Sequence, residues 1–585
     1  MALSEAGARG WHRYVLGNSG NLLPGFIIAL AVLLVLVPLA VLLIFSFRSG
    51  TPWNPGPFTL GNYTGAYGDG QTYTMLGNTL VLALCGTAIS VSLAVFFAFL
   101  TERTDMPFRN VAWMLLLVPI AIPGILFAIS WTFLLSPRIG LFNVWMRDVL
   151  GLFGWEMREG PLNIYSMGGL IFLDGLRGVT TVFMIIVGAF RTMDPNLEEA
   201  ARISGASNRR TFFRILLPLL TPAIMAGGIY SFMTSLESLE VPLVVGLPGE
   251  VYVFSSYIYF STQRFSPPQY GISAALGATF LILSILLVWW YRRQAGRLGR
   301  YVTITGKGYR PRIVKLGKWR YPCFAMVVLY TLLTIVAPCL ILLWSSLQPL
   351  YRPPTWELLQ TANLRNYAEI FADPKIWDAT LNTILVAVVA GTLTMAIALI
   401  VAWGVQRMRF RGRGVVDGIM FLPNAIPGVI VGVAIIIVFT QPPMADLSLY
   451  GSIWIIVLGL VVHYLAFGTR TMNGAVAQLH VEMEEAGKVS GAKWRTVMRR
   501  IVLPLLLPSF ISGWIWVAAH ALRNFSIPVL LSSRDSRMLS VELWHAWDDG
   551  DPGRATALGV LLIVALVVFT VIGRMLVVKF SRQQG

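Results

Sequence analysis

The sequence predicts an all-α polytopic membrane protein with about 12 transmembrane helices in two parallel six-helix repeats. Three observations lead to this fold class. The chain of 585 residues is 56% hydrophobic and only 12% charged, whereas soluble globular proteins are about one quarter charged. Apolar runs long enough to cross about 30 Å of hydrocarbon as helices recur along its whole length. A polar segment near residue 198 recurs near residue 484.

The apolar runs divide into about twelve predicted spans. The first run is about 26 residues long, whereas the apolar core of a signal peptide has roughly 7–15 residues, so we expect a retained helix. Prolines interrupt the third span of each half and are expected to kink helices there. The predicted spans cover residues 22–47, 76–101, 111–135, 167–190, 219–238, 270–291, 321–345, 378–404, 415–440, 450–469, 505–523 and 555–578.

The two halves of the chain match each other in sequence. Pro427 follows Pro123 by 304 positions, whereas the later polar motifs recur after 286 positions, so the first half carries about 18 additional residues, placed near 136–166. Such symmetry indicates two copies of one membrane unit. Six helices return the chain to its starting side, so the repeats are parallel. We predict domains at 1–300 and 301–585.

The net charge of +17 is concentrated at particular loops. Residues 292–320 contain ten Lys or Arg residues and no acid. Short basic loops stay in the cytoplasm, so this linker and both termini are predicted to be cytoplasmic. Contact with anionic membrane lipid is a compatible alternative role for the linker. A nucleic-acid partner is not expected.

Two polar loops, at about 191–218 and 477–504, carry the repeated motif. Each sequence predicts a helix that ends at a glycine, then a basic helix, then a proline that returns the chain to the membrane. The second copy has Gly487 inside its helix, which weakens helix propensity by about 1 kcal/mol, so we expect a looser helix there. A hairpin resting on lipid is one interpretation. Two equivalent copies favour a twofold partner.

The motif E-A-A, then Gly, then I-x-L-P resembles that of permease subunits in bacterial binding-protein-dependent ABC importers with the type I fold. The fused pair of halves most resembles the ferric-iron type, and related permeases import phosphonate, polyamine, thiamine or sulfate. The resemblance implies that two ATP-binding subunits seat on the polar loops and that an extracytoplasmic solute-binding protein delivers the solute. The implied ATPase-docking residues are Glu198, Glu199, Ala200 and Gly205 in the first loop and Glu484, Glu485, Ala486 and Gly491 in the second.

The sequence lacks the signatures of an enzyme. It has no GxxxxGK[ST] phosphate loop, so ATP hydrolysis is assigned to separate subunits. We predict no catalytic residues, no cofactor and no metal site. His463 and His520 lie in predicted spans and are expected to make packing hydrogen bonds rather than bind a ligand.

Glu237 and Arg523 are repeat partners, 286 positions apart, near the ends of predicted spans. Ionisable residues at membrane depth are usually paired or functional. We predict that the two interact across the interface between the halves and gate the path. Exposure to water at the outer helix ends is the alternative. Pro123 and Pro427 are the other pathway candidates.

Two rival functions remain at this point. An ion-gradient secondary transporter also commonly has twelve helices in two halves. It would need intramembrane carboxylates, which are sparse here, and it would not explain the repeated polar loop. A structural or assembly protein of the membrane is the other rival.

Overall fold

The computed structural model describes residues 22–192, 200–201, 203–298, 313–408, 410–492 and 494–582. Glu198, Glu199 and residues 299–312 of the basic linker lie outside these residues. The described residues are predominantly helical, with one antiparallel hairpin of β1 (Arg48–Thr51) and β2 (Asn54–Phe58). The all-α class is confirmed.

The first half contains eleven numbered helices among the described residues. These are α1 (Leu22–Phe45), α2 (Gly61–Tyr67), α3 (Gly70–Arg103), α4 (Arg109–Leu117), α5 (Gly124–Leu135), α6 (Leu141–Gly151), α7 (Met167–Thr192), α8 (Asn208–Thr211), α9 (Leu217–Glu237), α10 (Phe254–Gln263) and α11 (Tyr270–Leu298).

The second half contains fourteen numbered helices among the described residues. Its helices are α12 (Arg320–Thr331), α13 (Ala337–Ser346), α14 (Trp356–Leu359), α15 (Arg365–Ala372), α16 (Pro374–Arg407), α17 (Arg413–Phe421), α18 (Gly428–Phe439), α19 (Ile453–Ala477), α20 (Val481–Val489), α21 (Trp494–Val497), α22 (Leu503–Leu522), α23 (Pro528–Leu531), α24 (Leu539–Asp548) and α25 (Pro552–Arg582).

Ten membrane-length apolar helices match ten of the predicted spans among the described residues. The other two predicted spans are the bent pairs α4–α5 and α17–α18. A third bent pair, Pro242–Gly249 with Phe254–Gln263, was not predicted. Its two segments meet at 81° and are too short to be recognised as a span from hydropathy.

The third span of each half is broken at a proline. Helices α4 and α5 meet at 99°, and α17 and α18 meet at 108°. Ile122 and Ile426 have extended backbone, with ψ of 123° and 119°, because the ring of the following Pro123 or Pro427 disfavours the helical conformation. The kinks are therefore confirmed, but a continuous helix at either place is wrong.

The first span of each half packs against the opposite half. Helix α1 contacts α16, α17 and α18, and the side chain of Ile28 lies directly over Gly404. Helix α12 contacts α4, and the hydroxyl of Tyr330 lies 3.2 Å from that of Thr180 in α7. The two halves are therefore intertwined, and each first span holds the other half in place.

The last part of the basic linker is hydrogen-bonded to the C-terminal end of α3. The N–H of Val314 donates to the carbonyl of Arg103 at 2.8 Å, and the N–H of Asp105 donates to the carbonyl of Val314 at 3.1 Å. The linker end and the loop between α3 and α4 therefore share one side of the molecule.

Candidate functional site

The second polar loop forms a short helix and a tight turn. Helix α20 runs from Val481 to Val489, and Gly491 then has φ of +80°. Gly205 in the first polar loop has the same φ of +80°. Only glycine adopts this conformation without strain, so both glycines end their helices as predicted.

The helix after each turn is continuous with the fifth span, contrary to the separate basic helix predicted from the sequence. In the second half a single helical run extends over Arg495–Leu522 through Pro504. A π-helical segment at Met498–Val502 comes immediately before this proline, and Phe212–Leu216 does the same before Pro218. The shifted hydrogen-bond register accommodates the missing proline N–H without a break.

Glu484 faces the interior of the protein. It is 3% exposed. Its carboxylate accepts hydrogen bonds from Arg407 Nε at 2.9 Å and from Trp403 Nε1 at 3.0 Å. Arg407 also donates to the carbonyls of Val476 at 3.1 Å and Leu479 at 2.7 Å, near the end of α19. Glu484 therefore anchors α20 to α16 and α19, a role the sequence analysis did not assign to it.

At Gly487 there is no room for a side chain, because α20 packs closely against the helix that follows it. An added Cβ would lie 2.8 Å from Ile501 Cδ1 and 3.3 Å from Val497 Cγ2. The glycine thus allows α20 to approach the following helix closely, and α20 remains helical through it. The expectation of a looser helix in the second copy stays a prediction.

The remaining docking candidates of the described residues are exposed. They comprise Ala200, Gly205, Glu485, Ala486 and Gly491. Among the described residues of each polar loop, the most exposed apolar residue was missed by the sequence analysis: Ile203 is 88% exposed and Val489 is 89% exposed. These two residues occupy equivalent positions in the two repeats. The sequence feature that could have identified them is the single aliphatic residue that comes before Ser-Gly-Ala in both copies.

A polar cluster lies where the two halves meet. We use "central cluster" for Arg177, Glu237, Glu240 and Arg523. Arg177 and Glu240 form an ion pair at 3.1 Å. The pair lies against Gly124, where an added Cβ would come within 1.7 Å of the Glu240 carboxylate. Gly124 begins α5 directly after the break in the third span, so the pair lies beside that break.

Arg523 crosses between the halves. One of its nitrogens donates to the carbonyl of Ile120, which lies in the first half just before the break. Its other terminal nitrogen lies 2.7 Å from Nε2 of His520, whose ring stacks on Trp516 with a centroid distance of 3.7 Å. The packing role expected for His520 fits these contacts.

Glu237 and Arg523 do not form the predicted ion pair in the described structure. Arg523 instead uses neutral acceptors. The alternative of exposure to water at the outer helix ends stays a prediction. After Glu237 the chain continues into the bent pair that begins at Pro242.

The two halves also meet at the ends of α10 and α24. The indole N–H of Trp544 donates to the hydroxyl of Tyr259 at 3.1 Å. Arg264 forms an ion pair with Asp548. Helices α9 and α22 begin beside the polar loops and lead away from them, so this contact lies on the opposite side of the molecule. We call these four residues the latch.

Comparison with known proteins decides the family. The family described as "Binding-protein-dependent transport system inner membrane component" matches residues 86–300 and 394–583, and each match contains one polar loop. The chain belongs to this family. The permease is thus the multi-pass inner-membrane translocation subunit of a binding-protein-dependent ABC importer.

The permease resembles named relatives over most of its length. It is 27% identical to the ferric transport system permease protein FbpB of Actinobacillus pleuropneumoniae, covering 86% of this chain and 70% of that protein. It is 26% identical to the putative ferric transport system permease protein FbpB 1 of Haemophilus influenzae, covering 80% and 72%. The spermidine/putrescine transport system permease protein PotC of Haemophilus influenzae is 25% identical, covering 36% of this chain and 81% of that protein.

Proposed function

We propose that the permease imports ferric iron, delivered by an extracytoplasmic binding protein, with energy from two separate ATP-binding subunits. The similarity to ferric permeases extends over 86% of the chain, whereas the similarity to the polyamine permease covers only 36%. This difference in coverage is the observation that carries the choice of substrate.

Each polar loop is a docking surface for one ATPase subunit. The exposed aliphatic residues Ile203 and Val489 stand next to the positive-φ turns at Gly205 and Gly491. An isolated large apolar side chain beside a rigid turn suits insertion into a groove on a partner. Glu484 positions the second surface from inside rather than contacting the partner.

The solute passes between the two halves, past the breaks at Pro123 and Pro427. ATP-driven movement of the docking surfaces rocks the halves, and the latch on the opposite side separates when the path opens there. The two fused domains comprise residues 1–300 and 301–585. Both termini and the linker lie in the cytoplasm, and the latch lies on the outer side of the membrane.

A double substitution of the exposed aliphatic residues tests the docking proposal. Ile203→Asp with Val489→Asp should abolish co-purification of the ATPase subunits while the permease still inserts in the membrane. The matched control is the exchange Ile203→Val with Val489→Ile, which keeps both surfaces apolar and should retain the subunits. If the Asp double variant co-purified with the ATPase subunits as well as the wild type does, the docking proposal would be refuted.

A further inference from the structure

A basic segment without acidic partners leads into α12. We use "basic segment" for residues 313–321, which contain three basic residues and no acidic residue. Lys315, Lys318 and Arg320 are exposed, and none of the three forms an ion pair with another residue of the described ranges. Their positive charges are therefore available to an anionic partner.

The basic segment is fixed against the loop between α3 and α4. Besides the two backbone hydrogen bonds of Val314, the N–H of Leu316 donates to Asp105 Oδ1 at 2.7 Å. The N–H of Trp319 then donates to the carbonyl of Leu316 at 3.1 Å. The carboxylate of Asp105 is thus engaged by the backbone, and the three bases project from an ordered scaffold.

The position of the basic segment relative to the membrane follows from the helix that it begins. The helical run Gly317–Ser346 has the length and hydropathy of a membrane span, so its first residues lie at one membrane surface. Arg103, to which the segment is hydrogen-bonded, also donates to the carbonyl of Phe190 at 3.1 Å. Phe190 lies near the end of α7, which leads into the first polar loop. The basic segment therefore lies on the side of the polar loops.

Aromatic residues stand beside the bases. Trp319 is 70% exposed and Tyr321 is 57% exposed. The guanidinium of Arg320 lies over the ring of Tyr321, with 4.6 Å from Cζ to the centroid, and donates to its hydroxyl at 2.7 Å. Tryptophan and tyrosine are enriched at the boundary between membrane and water. These side chains therefore suit the headgroup region of a bilayer.

An apolar surface continues from the bases along α4 and α12. The two helices contact each other, and the ring of Phe108, just before α4, lies 5.4 Å from that of Phe324 in α12. Met114 in α4 and both Met326 and Leu329 in α12 are exposed. Because α4 belongs to the first half and α12 to the second, one molecule lying along this surface contacts both halves.

We propose that the basic segment binds the headgroup of an anionic phospholipid whose acyl chains lie along α4 and α12. Lys315, Lys318 and Arg320 attract the phosphate, since basic residues at a membrane surface favour anionic lipid. An acidic protein surface would match this charge but would leave the apolar side chains of α4 and α12 unexplained. The site does not depend on which solute the permease imports.

Lipid binding to the purified full-length permease tests the proposal. Phosphatidylglycerol and phosphatidylcholine are titrated separately in detergent, and native mass spectrometry measures the dissociation constant of the first lipid bound. We expect the wild type to bind phosphatidylglycerol at least about tenfold more tightly. The combined change Lys315→Gln, Lys318→Gln and Arg320→Gln should lose at least about fivefold of this preference and leave phosphatidylcholine binding unchanged.

Two further triple variants are controls. Lys315→Arg, Lys318→Arg and Arg320→Lys keep the charge and should keep the preference. Arg352→Gln, Arg365→Gln and Lys375→Gln remove three exposed positive charges beyond the other end of the same helical run, on the opposite side, and should also keep it. A preference that is equal in the wild type and in the Gln variant of the basic segment would overturn the proposal.

Two more measurements distinguish lipid from other anionic partners. Glycerol phosphate, which has the headgroup charge but no acyl chain, should not displace phosphatidylglycerol at millimolar concentration. Displacement by it would assign the bases to a soluble anion and overturn the proposal. Loss of co-purifying ATPase subunits from the Gln variant, with its lipid preference intact, would assign the basic segment to those subunits and overturn the proposal as well.

Discussion

Two adjacent glutamates of α20 have opposite environments. Glu484 is buried against Arg407 and Trp403, whereas Glu485 is exposed. Removing one partner of a buried ion pair leaves the other charge uncompensated, which costs about 3–5 kcal/mol. Glu484→Ala should therefore lower the melting temperature of the purified permease by several degrees, as measured by thermal unfolding.

Glu485→Ala is the matched control for this prediction. It removes the same carboxylate from the surface, so it should leave the melting temperature unchanged and weaken only the binding of the ATPase subunits. Equal melting temperatures for Glu484→Ala and Glu485→Ala would show that the buried pair does not hold α20 in place.

The sequence predicted much of this loop but not its orientation. The glycine turns at Gly205 and Gly491 followed from local conformational rules that need no knowledge of the fold. The burial of Glu484 did not, because its partner Arg407 lies 77 positions earlier in the chain. Local spacing cannot reveal which of two neighbouring glutamates meets such a distant guanidinium.

The broken third span offers a comparison between the halves. A Cβ at Gly124 would displace the Glu240 carboxylate and the Arg177 guanidinium, both ends of flexible side chains. A Cβ at Gly428 would meet Ser526 and Ile527 at 3.3 Å, a contact that small shifts relieve. Gly124→Ala should therefore fold normally but lose most iron uptake, whereas Gly428→Ala should transport nearly as well as the wild type. Equal uptake by the two variants would contradict a role for the Arg177–Glu240 pair.

The latch joins helices α10 and α24 of opposite halves. Its ion pair of Arg264 and Asp548 is partly exposed, so it contributes at most about 1 kcal/mol. Arg264→Asp should raise the basal ATPase rate of the transporter by up to about fivefold, because the closed state is weakened by that amount. The exchange Arg264→Asp with Asp548→Arg should restore the low rate. Additive increases in the double variant would argue against a direct latch.

The bent helix pairs could be predicted from the sequence only in part. Pro123 and Pro427 predicted a kink because proline disfavours helix at the residue before it. The near right angle depends on how α5 and α18 pack inside the bundle, which no local pattern encodes. The bent pair that includes Pro242–Gly249 was missed because neither segment alone has the length of a span.

At the scale of the whole molecule, the polar loops and the latch are expected to face opposite sides of the membrane. In a variant lacking native cysteines, Lys318→Cys should resist an impermeant thiol reagent in intact cells, whereas Asp549→Cys should react. The charge of the linker supplies the physical reason, since basic loops are retained in the cytoplasm. Labelling at equal rates would refute this arrangement.

We propose that the permease passes ferric iron between its halves at the expense of ATP. Proteoliposomes containing the permease and its ATPase subunits, with the iron-loaded binding protein outside and ATP inside, test this most directly. Labelled iron should accumulate in the presence of ionophores that abolish ion gradients, and accumulation should stop without ATP. Uptake that depends on an ion gradient and proceeds without ATP would contradict the account and favour a secondary transporter.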